Sequence, residues 1–113
     1  DLDKAGIISI DDFAKVKLRT GEITACEKIK KSKKLLKIQV DDARGGRQIV
    51  SGIAEYYTPE ELVGKQVLVL VNLEPRELKG ILSRGMILMA QDASGKLRLL
   101  QPDDQTNPGA TVG

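Results

Sequence analysis

Strand-like segments separated by turn signals run along this chain, and they constrain its fold more than any other feature. The clearest is Leu36–Val40, where apolar and polar residues alternate as in a strand that buries one face. The segment DDARGG at 41–46 follows it, and its two glycines predict a hairpin into a strand at 47–52. The unbroken apolar run Val67–Val71 is typical of a central strand covered on both sides. The chain is therefore predicted to consist mainly of short β-strands.

The first predicted strand is long, from about Lys15 to Ile29, and it contains Gly21. Its apolar residues lie at even positions before the glycine and at odd positions after it: Val16, Leu18, Ile23, Ala25 and Ile29. A bulge or sharp bend at a glycine produces such a change of parity. A long, bent first strand that serves both halves of a small barrel is characteristic of the OB architecture.

A short helix is predicted between the third and fourth strands. Thr58 has the position of an N-cap, Pro59 that of the first helical residue, and Glu61 completes a capping box. Gly64 is predicted to end the helix. In OB folds a helix commonly lies between these two strands. A further single turn, capped by Asp11, is predicted ahead of the first strand.

The second half of the chain is predicted to close the barrel. The segment 73–85 is interpreted as a basic, irregular loop, and 86–90 and 96–100 as closing strands joined by a turn at 92–95. The tail at 101–113 is too polar to form core. Five or more short strands with one short helix predict an all-β barrel, and periodicity alone leaves several small β folds open.

The residue types most used in catalysis and metal binding are scarce. The chain has no histidine and one cysteine, Cys26, so it offers no Ser-His pair, no Cys-His pair, no zinc cluster and no internal disulfide. The acidic pairs at 41–42 and 103–104 are interpreted as solvated turns. Met86 and Met89 are interpreted as core filler, as methionines in barrel strands usually are. We therefore expect a non-catalytic domain without cofactor or metal.

Membrane and secretion signals are also lacking. No apolar run approaches the roughly 18–20 residues that cross a bilayer, and Asp1–Lys4 is acidic and polar, unlike a signal peptide. The expectation is a cytoplasmic domain with no membrane partner. Because the chain begins at Asp1 and not at a methionine, we interpret it as a domain of a longer protein.

Positive charge is concentrated in one segment. The formal net charge is only +2, but six of the 18 basic residues lie within ten positions: Lys28, Lys30, Lys31, Lys33, Lys34 and Lys37. The other 12 basic residues are outnumbered by 16 acidic ones, so the molecule is predicted to be dipolar. Clustered lysines on a turn between strands suit phosphate contacts with a nucleic acid. The alternative is a solvated surface turn.

The loop Asn72–Gly85 is the second candidate for binding. It offers three cations and two hydrogen-bonding side chains: Arg76, Lys79, Arg84, Asn72 and Ser83. The alternative is an ordinary connecting loop. The only aromatic residues of the chain are Phe13, Tyr56 and Tyr57, too few for a platform that stacks the bases of generic single strands. The two tyrosines are interpreted as packing residues. A structured RNA, read by shape and backbone, fits this composition better.

Seven segments, in order, carry a resemblance to a known family. They are IDDFAKV at 10–16, LRTG at 18–21, KLL at 34–36, QIVSGI at 48–53, YTPEEL at 57–62, NLEPR at 72–76 and SRGM at 83–86. They resemble the tRNA-binding domain found at the C-terminus of many bacterial methionyl-tRNA synthetases and as a free-standing structure-specific tRNA-binding protein. The similarity extends from about Ser9 to Val112.

This resemblance implies a five-stranded OB-fold barrel with one short helix between strands 3 and 4 and added terminal segments. Residues 1–9 would be a lead-in from an upstream domain, and residues 10–113 the tRNA-binding domain. The tail, including Pro108, Gly109 and Val112, would help to build a homodimer interface. The domain would bind tRNA with little sequence preference, favouring its outer corner, and would raise the affinity of a synthetase whose catalytic part lies upstream.

The resemblance also assigns site residues. Asn72 and Ser83 would form hydrogen bonds, Arg76 would contact phosphate, and Met86 would make or support an apolar contact. The family's turn before strand 2 often has a His-Pro-Asn-Ala-Asp-Lys-Leu-like sequence, whereas 29–35 of this chain reads IKKSKKL. The predicted tRNA-binding set is completed by cations of that turn and of the second loop: Lys30, Lys31, Lys33, Lys34, Lys79 and Arg84.

Two other functions remain open at this point. The domain is a candidate for a structural module that mainly dimerises a synthetase, or for a chaperone-like relative that binds peptides on the same barrel. The sequence shows no extended hydrophobic groove that would favour peptides.

Overall fold

The computed structural model describes residues 6–113. The first five residues of the predicted lead-in therefore lie outside the described part of the chain. The elements are α1 (Ile10–Phe13), β1 (Leu18–Lys28), β2 (Leu36–Asp41), β3 (Arg47–Ser51), α2 (Pro59–Leu62), β4 (Gln66–Leu70), β5 (Arg76–Leu78), β6 (Ile81–Ser83), β7 (Met86–Ile87), β8 (Met89–Gln91), β9 (Leu97–Leu99) and β10 (Thr111–Val112). In that part of the chain, neither helix is long or apolar enough to cross a bilayer.

The long first strand organises the barrel, as predicted. Residues 18–22 of β1 pair with β4, residues 22–28 pair with β2, and both pairings are antiparallel. Glu22, where β1 changes partner, faces both Asp41 and Gln66. The strand order is β3-β2-β1-β4-β7, and β3 meets the chain around β6 and β7 at the closing seam. The result is a nearly closed five-stranded antiparallel barrel, which confirms the predicted OB fold.

The irregularity in β1 was predicted at the wrong residue. The register with β2 shifts between Ile23 and Ala25, and not at Gly21. Ile23 is therefore fully buried, while Ala25 is exposed and Cys26 packs against the core instead. Gly21 has a different role, because a Cβ there would lie 2.3 Å from Cγ1 of Val40. The glycine allows β1 and β2 to approach each other closely inside the barrel.

The core follows the predicted alternation. In β2 the apolar residues are buried and the polar ones between them are only half-buried. The β-strand residues meet Ile53 and Leu62 in one cluster, whose members are Ile23, Leu36, Ile38, Val40, Ile49, Ile53, Leu62, Val67, Val69 and Ile87. Leu62 is the buried residue of α2, so the helix covers one end of the barrel.

Both helices form where capping residues predict them. Thr58 and Glu61 make the full capping box, and α2 ends before Gly64, whose φ is +92°. For α1 the predicted cap was wrong: Ser9 accepts the hydrogen bond from the N–H of Asp12, and Asp11 lies inside the first turn. Serine and aspartate are almost equally good N-caps, so residue type alone did not distinguish the two positions.

The segment 73–85 is not an irregular loop, which corrects the prediction. It contains the β5–β6 hairpin, turned by Lys79 and Gly80 with φ values of +53° and +78°. A two-residue turn with both φ values positive suits the twist of a hairpin, but lysine is an unusual residue for it. The predicted closing strand at 86–90 is also interrupted, because β7 stays in the main sheet and β8 pairs with β9.

The polar tail returns across the barrel and adds β10 to the start of β1. Thr20 holds it: its hydroxyl donates to the carbonyl of Asn107 at 2.9 Å and accepts from the N–H of Ala110 at 3.0 Å. Gln66 makes a second attachment, accepting from the N–H of Thr106 at 3.0 Å and donating to its carbonyl. The tail is thus ordered by hydrogen bonds and not by apolar burial.

Candidate nucleic-acid interface

The turn between β1 and β2, residues 29–35, presents the predicted lysines to solvent. Lys30, Lys31, Lys33 and Lys34 are all exposed, and they take part in none of the salt bridges within residues 6–113. Ile29 is buried, and the Ser32 hydroxyl accepts hydrogen bonds from the N–H groups of Lys34 and Leu35 at 3.2 Å. The lysine turn is therefore a shaped loop with unpaired charges.

Lys37 does not belong to this turn. It lies on β2, where it pairs with Glu27 across the sheet. Sequence proximity to the other lysines had made it part of the cluster. The structure leaves Lys28 and the four lysines of the turn as the exposed cationic segment.

The β5–β6 hairpin presents a second set of cations. Arg76 and Lys79 are exposed on it. The hairpin is fixed to β3, because Gln48 donates to the Leu82 carbonyl at 2.8 Å and the Val50 N–H donates to Ser83 Oγ at 3.0 Å. It thus projects from the barrel at a defined place.

The segment 52–54 lies between these two basic elements. On one side the Ala54 N–H donates to the Lys34 carbonyl at 3.0 Å. On the other side, Gly52 and Ile53 line a groove of about 470 Å³ together with Arg76 and Met86. The lysine turn and the hairpin therefore both lie next to the segment 52–54. We call this groove the β3 groove.

Arg84 does not line the β3 groove. It lines a different groove, together with Arg47, Gln48 and the β2–β3 turn. Its main chain helps to close the barrel, since its N–H donates to the Gln48 carbonyl at 2.8 Å. The predicted cations are therefore divided between two faces.

Asn72 and Ser83 are engaged within the fold. Asn72 accepts from the Lys17 N–H at 3.0 Å and donates to the Lys15 carbonyl at 2.5 Å, which joins the end of β4 to the segment before β1. Ser83 is buried, and its hydroxyl also donates to the Gly85 carbonyl at 3.4 Å. Both side chains therefore have hydrogen-bond partners inside the domain. No pattern in the sequence indicates these partners.

Arg47 is a structural residue that sequence reasoning missed. Its Nε donates to Asp42 Oδ2 at 2.8 Å, and its Nη1 donates to the carbonyls of Val71 and Arg84 at 2.9 Å. Burial alone would raise the pKa of the Asp42 carboxyl, but the hydrogen bonds from Arg47 and from the N–H groups of Arg44 and Gly46 outweigh it and lower this pKa. The ionised pair fixes the β2–β3 turn. Asp42 is 1% exposed, so the interpretation of the acidic pair at 41–42 as a solvated turn was wrong for Asp42.

Cys26, Tyr57 and Met89 pack against the core of the domain. Burial, with smaller contributions from Glu60 and Glu27, raises the pKa of Cys26 to about 11, so the thiol is protonated at neutral pH. Tyr57 packs against the core and its hydroxyl accepts from the Leu99 N–H at 3.2 Å, which confirms it as a packing residue. Met89 also packs on the core, whereas Met86 is 43% exposed, so core filler was the wrong interpretation for Met86. Within residues 6–113 no cluster of acidic and cysteine side chains suits a metal ion.

A small OB barrel with an unpaired cationic turn beside a lined groove has the form of a nucleic-acid-binding module. The family comparison agrees: residues 18–111 match the model described as a putative tRNA binding domain. The chain belongs to this family of tRNA-binding domains.

Individual relatives place the domain in a wider context. It is 54% identical over 105 residues to a methionine–tRNA ligase of Porphyromonas gingivalis. The aligned region covers 93% of this chain but only 15% of that enzyme. The chain therefore spans less than a sixth of the length of this relative. A protein related to methionyl-tRNA synthetase from Pyrococcus horikoshii has 38% identity and a TM-score of 0.90, covering 96% of this chain and 99% of the other. The chaperone CsaA of Bacillus anthracis has 27% identity and a TM-score of 0.87, covering 96% and 100%.

Proposed function

We propose that this domain binds tRNA through phosphate contacts and shape, without catalysing a reaction. The observation that carries the proposal is the lysine turn, whose exposed cations have no acidic partner within residues 6–113. The segment 52–54 connects this turn to the groove that Arg76 lines. Neutralising phosphates releases condensed counterions, and this supplies most nucleic-acid affinity. The family match supports tRNA as the ligand.

The four lysines of the turn, with Arg76 and Lys79, are the proposed phosphate contacts. Arg84 extends this footprint only for an RNA that also covers the second groove. Asn72 and Ser83 act as positioning residues, because their polar atoms hold the N-terminal segment and the hairpin. Met86 is exposed in the β3 groove and offers the apolar contact. Few rings are free to stack, so a folded RNA is favoured over a generic single strand.

The salt dependence of tRNA binding tests the proposal. Four to six neutralised phosphates give a slope of log affinity against log salt of roughly −3 to −5. The measurement is filter binding of tRNA over a range of salt concentrations. A flat salt response would contradict phosphate binding.

Charge reversal tests the location. Lys33→Glu combined with Lys34→Glu places repulsive charges in the turn, and we expect affinity to fall at least tenfold at low salt. Lys17→Glu with Lys96→Glu is the matched control, because both side chains are exposed outside the turn, neither takes part in a salt bridge within residues 6–113, and the net charge changes equally. Equal losses in both variants would show a general charge effect instead of a site.

The proposed context of this tRNA binding is attachment to a synthetase. We propose that the domain is part of a methionyl-tRNA synthetase, working in the cytoplasm, and raises that enzyme's tRNA affinity by a second attachment. A tethered second contact raises overall affinity through effective concentration, without any new contact in the catalytic part. The high identity to a methionine–tRNA ligase over 15% of its length supports this context.

We also propose that a second copy of the chain covers an apolar face beside the tail. The segment before β1 exposes Ile7, Ile8 and Ile10, at 74%, 59% and 78%, and Phe13 lies next to them. Phe13 and Ile10 line one surface with Val112 of β10. Exposed apolar groups that adjoin in this way mark an interface. Homodimerisation would place two cationic edges on one assembly.

A further inference from the structure

The β3 groove is apolar but contains one unpaired carboxylate. Ile53 and Ile87, which are buried, line it together with the exposed side chains of Leu73 and Met86. Glu74 also lines the groove, and it takes part in none of the salt bridges within residues 6–113. Among residues 6–113, no aromatic residue lines it. The groove therefore suits an apolar group that carries hydrogen-bond donors on one edge.

The surroundings of the groove favour RNA over an apolar peptide. Arg76 lines it directly, and the segment 52–54 connects it to the lysine turn. Cations at these positions hold the phosphates of a strand, and a base of that strand then faces the groove. An uncharged apolar peptide would gain nothing from them. Unstacking a base costs a few kcal/mol, and least where a folded RNA already leaves the base unstacked.

The carboxylate of Glu74 narrows the choice of base. A negative charge repels phosphates, so it weakens general RNA binding unless it meets a donor. An ionised carboxylate only accepts hydrogen bonds, and it has two oxygens. Guanine presents two adjacent donors, N1–H and N2–H₂, on one edge. Adenine, cytosine and uracil each place an acceptor beside their donor on the corresponding edge, and that acceptor would face the carboxylate.

We propose that the β3 groove receives one unstacked guanine of the bound RNA, with Glu74 accepting from its N1–H and N2–H₂ groups. The aliphatic and thioether side chains of the groove cover the faces of the base. This inference rests on the RNA binding proposed above. It adds a base-reading contact to a surface that otherwise recognises only shape and charge.

RNA hairpins that share one stem and differ only in a single bulged nucleotide test the proposal. With the unchanged protein we expect the guanine bulge to bind about tenfold tighter than the other three, as a bidentate contact discriminates between bases. Glu74→Gln is expected to abolish this preference. Glu77→Gln is the matched control, because Glu77 is exposed on β5 outside the groove lining, and its loss removes the same charge. Fluorescence anisotropy gives all the affinities.

Removing apolar cover from the groove gives an independent test. Met86 lines the groove and is 43% exposed, so Met86→Ala should fold. We expect it to reduce guanine-bulge binding, because the base loses an apolar contact on its face. Leu82→Ala is the matched control, because Leu82 is 45% exposed outside the groove lining, and it should retain the preference.

The possible failures can be told apart. If salt-dependent tRNA binding persists while all four bulges bind equally, the base-reading inference is wrong and the proposed function stands. If none of the RNAs binds, both fail. If the guanine preference survives Glu74→Gln or Met86→Ala, the base is read elsewhere. An apolar peptide that binds the unchanged protein more tightly than Met86→Ala, with RNA binding equal in both, would show that the groove is a peptide site.

Discussion

Arg47 joins parts of the barrel that are far apart in the chain. One guanidinium reaches a carboxylate five residues away and carbonyls 24 and 37 residues away. The side chain of Asp42 is 1% exposed and that of Arg47 is 17% exposed, so the pair is shielded from water. A shielded ion pair is costly to break because the remaining charge stays buried. These two residues thus hold the β2–β3 turn against the closing seam.

Replacing Asp42 tests this at the residue scale. Asp42→Asn leaves the Arg47 charge unpaired, and we expect a loss of about 3 kcal/mol in the free energy of unfolding at pH 7. The lowered pKa of Asp42 means that its contribution is present above the pKa of an unfolded aspartate and is lost as the pH falls through the folded value. The difference in the free energy of unfolding between the variant and the original protein should therefore become smaller at acidic pH.

Urea unfolding at neutral and acidic pH measures this effect. Asp41→Asn is the control, since among residues 6–113 the Asp41 carboxylate accepts only from the Ala43 N–H and is paired with no cation. The assignment of an ionised Asp42 would be contradicted if the Asp42 variant and the original protein differed by the same free energy of unfolding down to pH 2.

The attachment of the C-terminal tail to the barrel depends on one glycine, Gly109. Gly109 has a φ of +82°, and a Cβ there would lie 2.5 Å from the Asp42 carbonyl oxygen. Its N–H donates to the Thr20 carbonyl at 2.7 Å, next to the pairing of β10 with β1. The tail can follow the barrel only where its backbone passes this close.

We expect Gly109→Ala to detach the tail. The backbone strain and the clash together should cost about 1–3 kcal/mol. Hydrogen exchange of the amides at Thr20 and Gly109 should accelerate, because their partners move away. Gly95→Ala is the matched control: Gly95 has a φ of +88°, but its Cβ would meet only the Gln91 side chain, at 3.8 Å. Equal acceleration of these two amides in both variants would show a general loss of stability and not detachment of the tail.

The whole molecule has a cationic edge and a separate apolar face. The lysine turn and β5–β6 hairpin form the first, while α1 and β10 form the second. Because the two surfaces share no residues, RNA binding and self-association can be tested separately. Variants of one surface at a time can therefore distinguish a tRNA-binding function from a purely structural one.

Changing the apolar face should change the mass in solution. Ile10→Asp combined with Phe13→Asp introduces charges that would be buried between copies, so we expect a monomer by analytical ultracentrifugation. Val63→Asp is the control, because Val63 is 48% exposed on another surface. If the unchanged chain is already a monomer, the proposed dimer is wrong. If the monomeric variant still binds tRNA with full affinity, each copy binds alone.

The sequence by itself determined the central strands and the helix. The alternation in Leu36–Val40 and the apolar run Val67–Val71 specify buried faces, and the Thr58–Glu61 capping box specifies the helix, because each depends on residues close together in the chain. It also located the lysine turn, since clustered charge is visible without a fold.

Tertiary structure decided which residues share a surface. It placed Arg84 apart from Arg76, moved Lys37 out of the lysine turn, and engaged Ser83 inside the barrel. It also moved the bulge in β1 past Gly21, because the register depends on pairing with β2. These outcomes depend on contacts between residues up to dozens of positions apart. Local periodicity and charge cannot encode them, since a side chain's partner is fixed only when the strands meet.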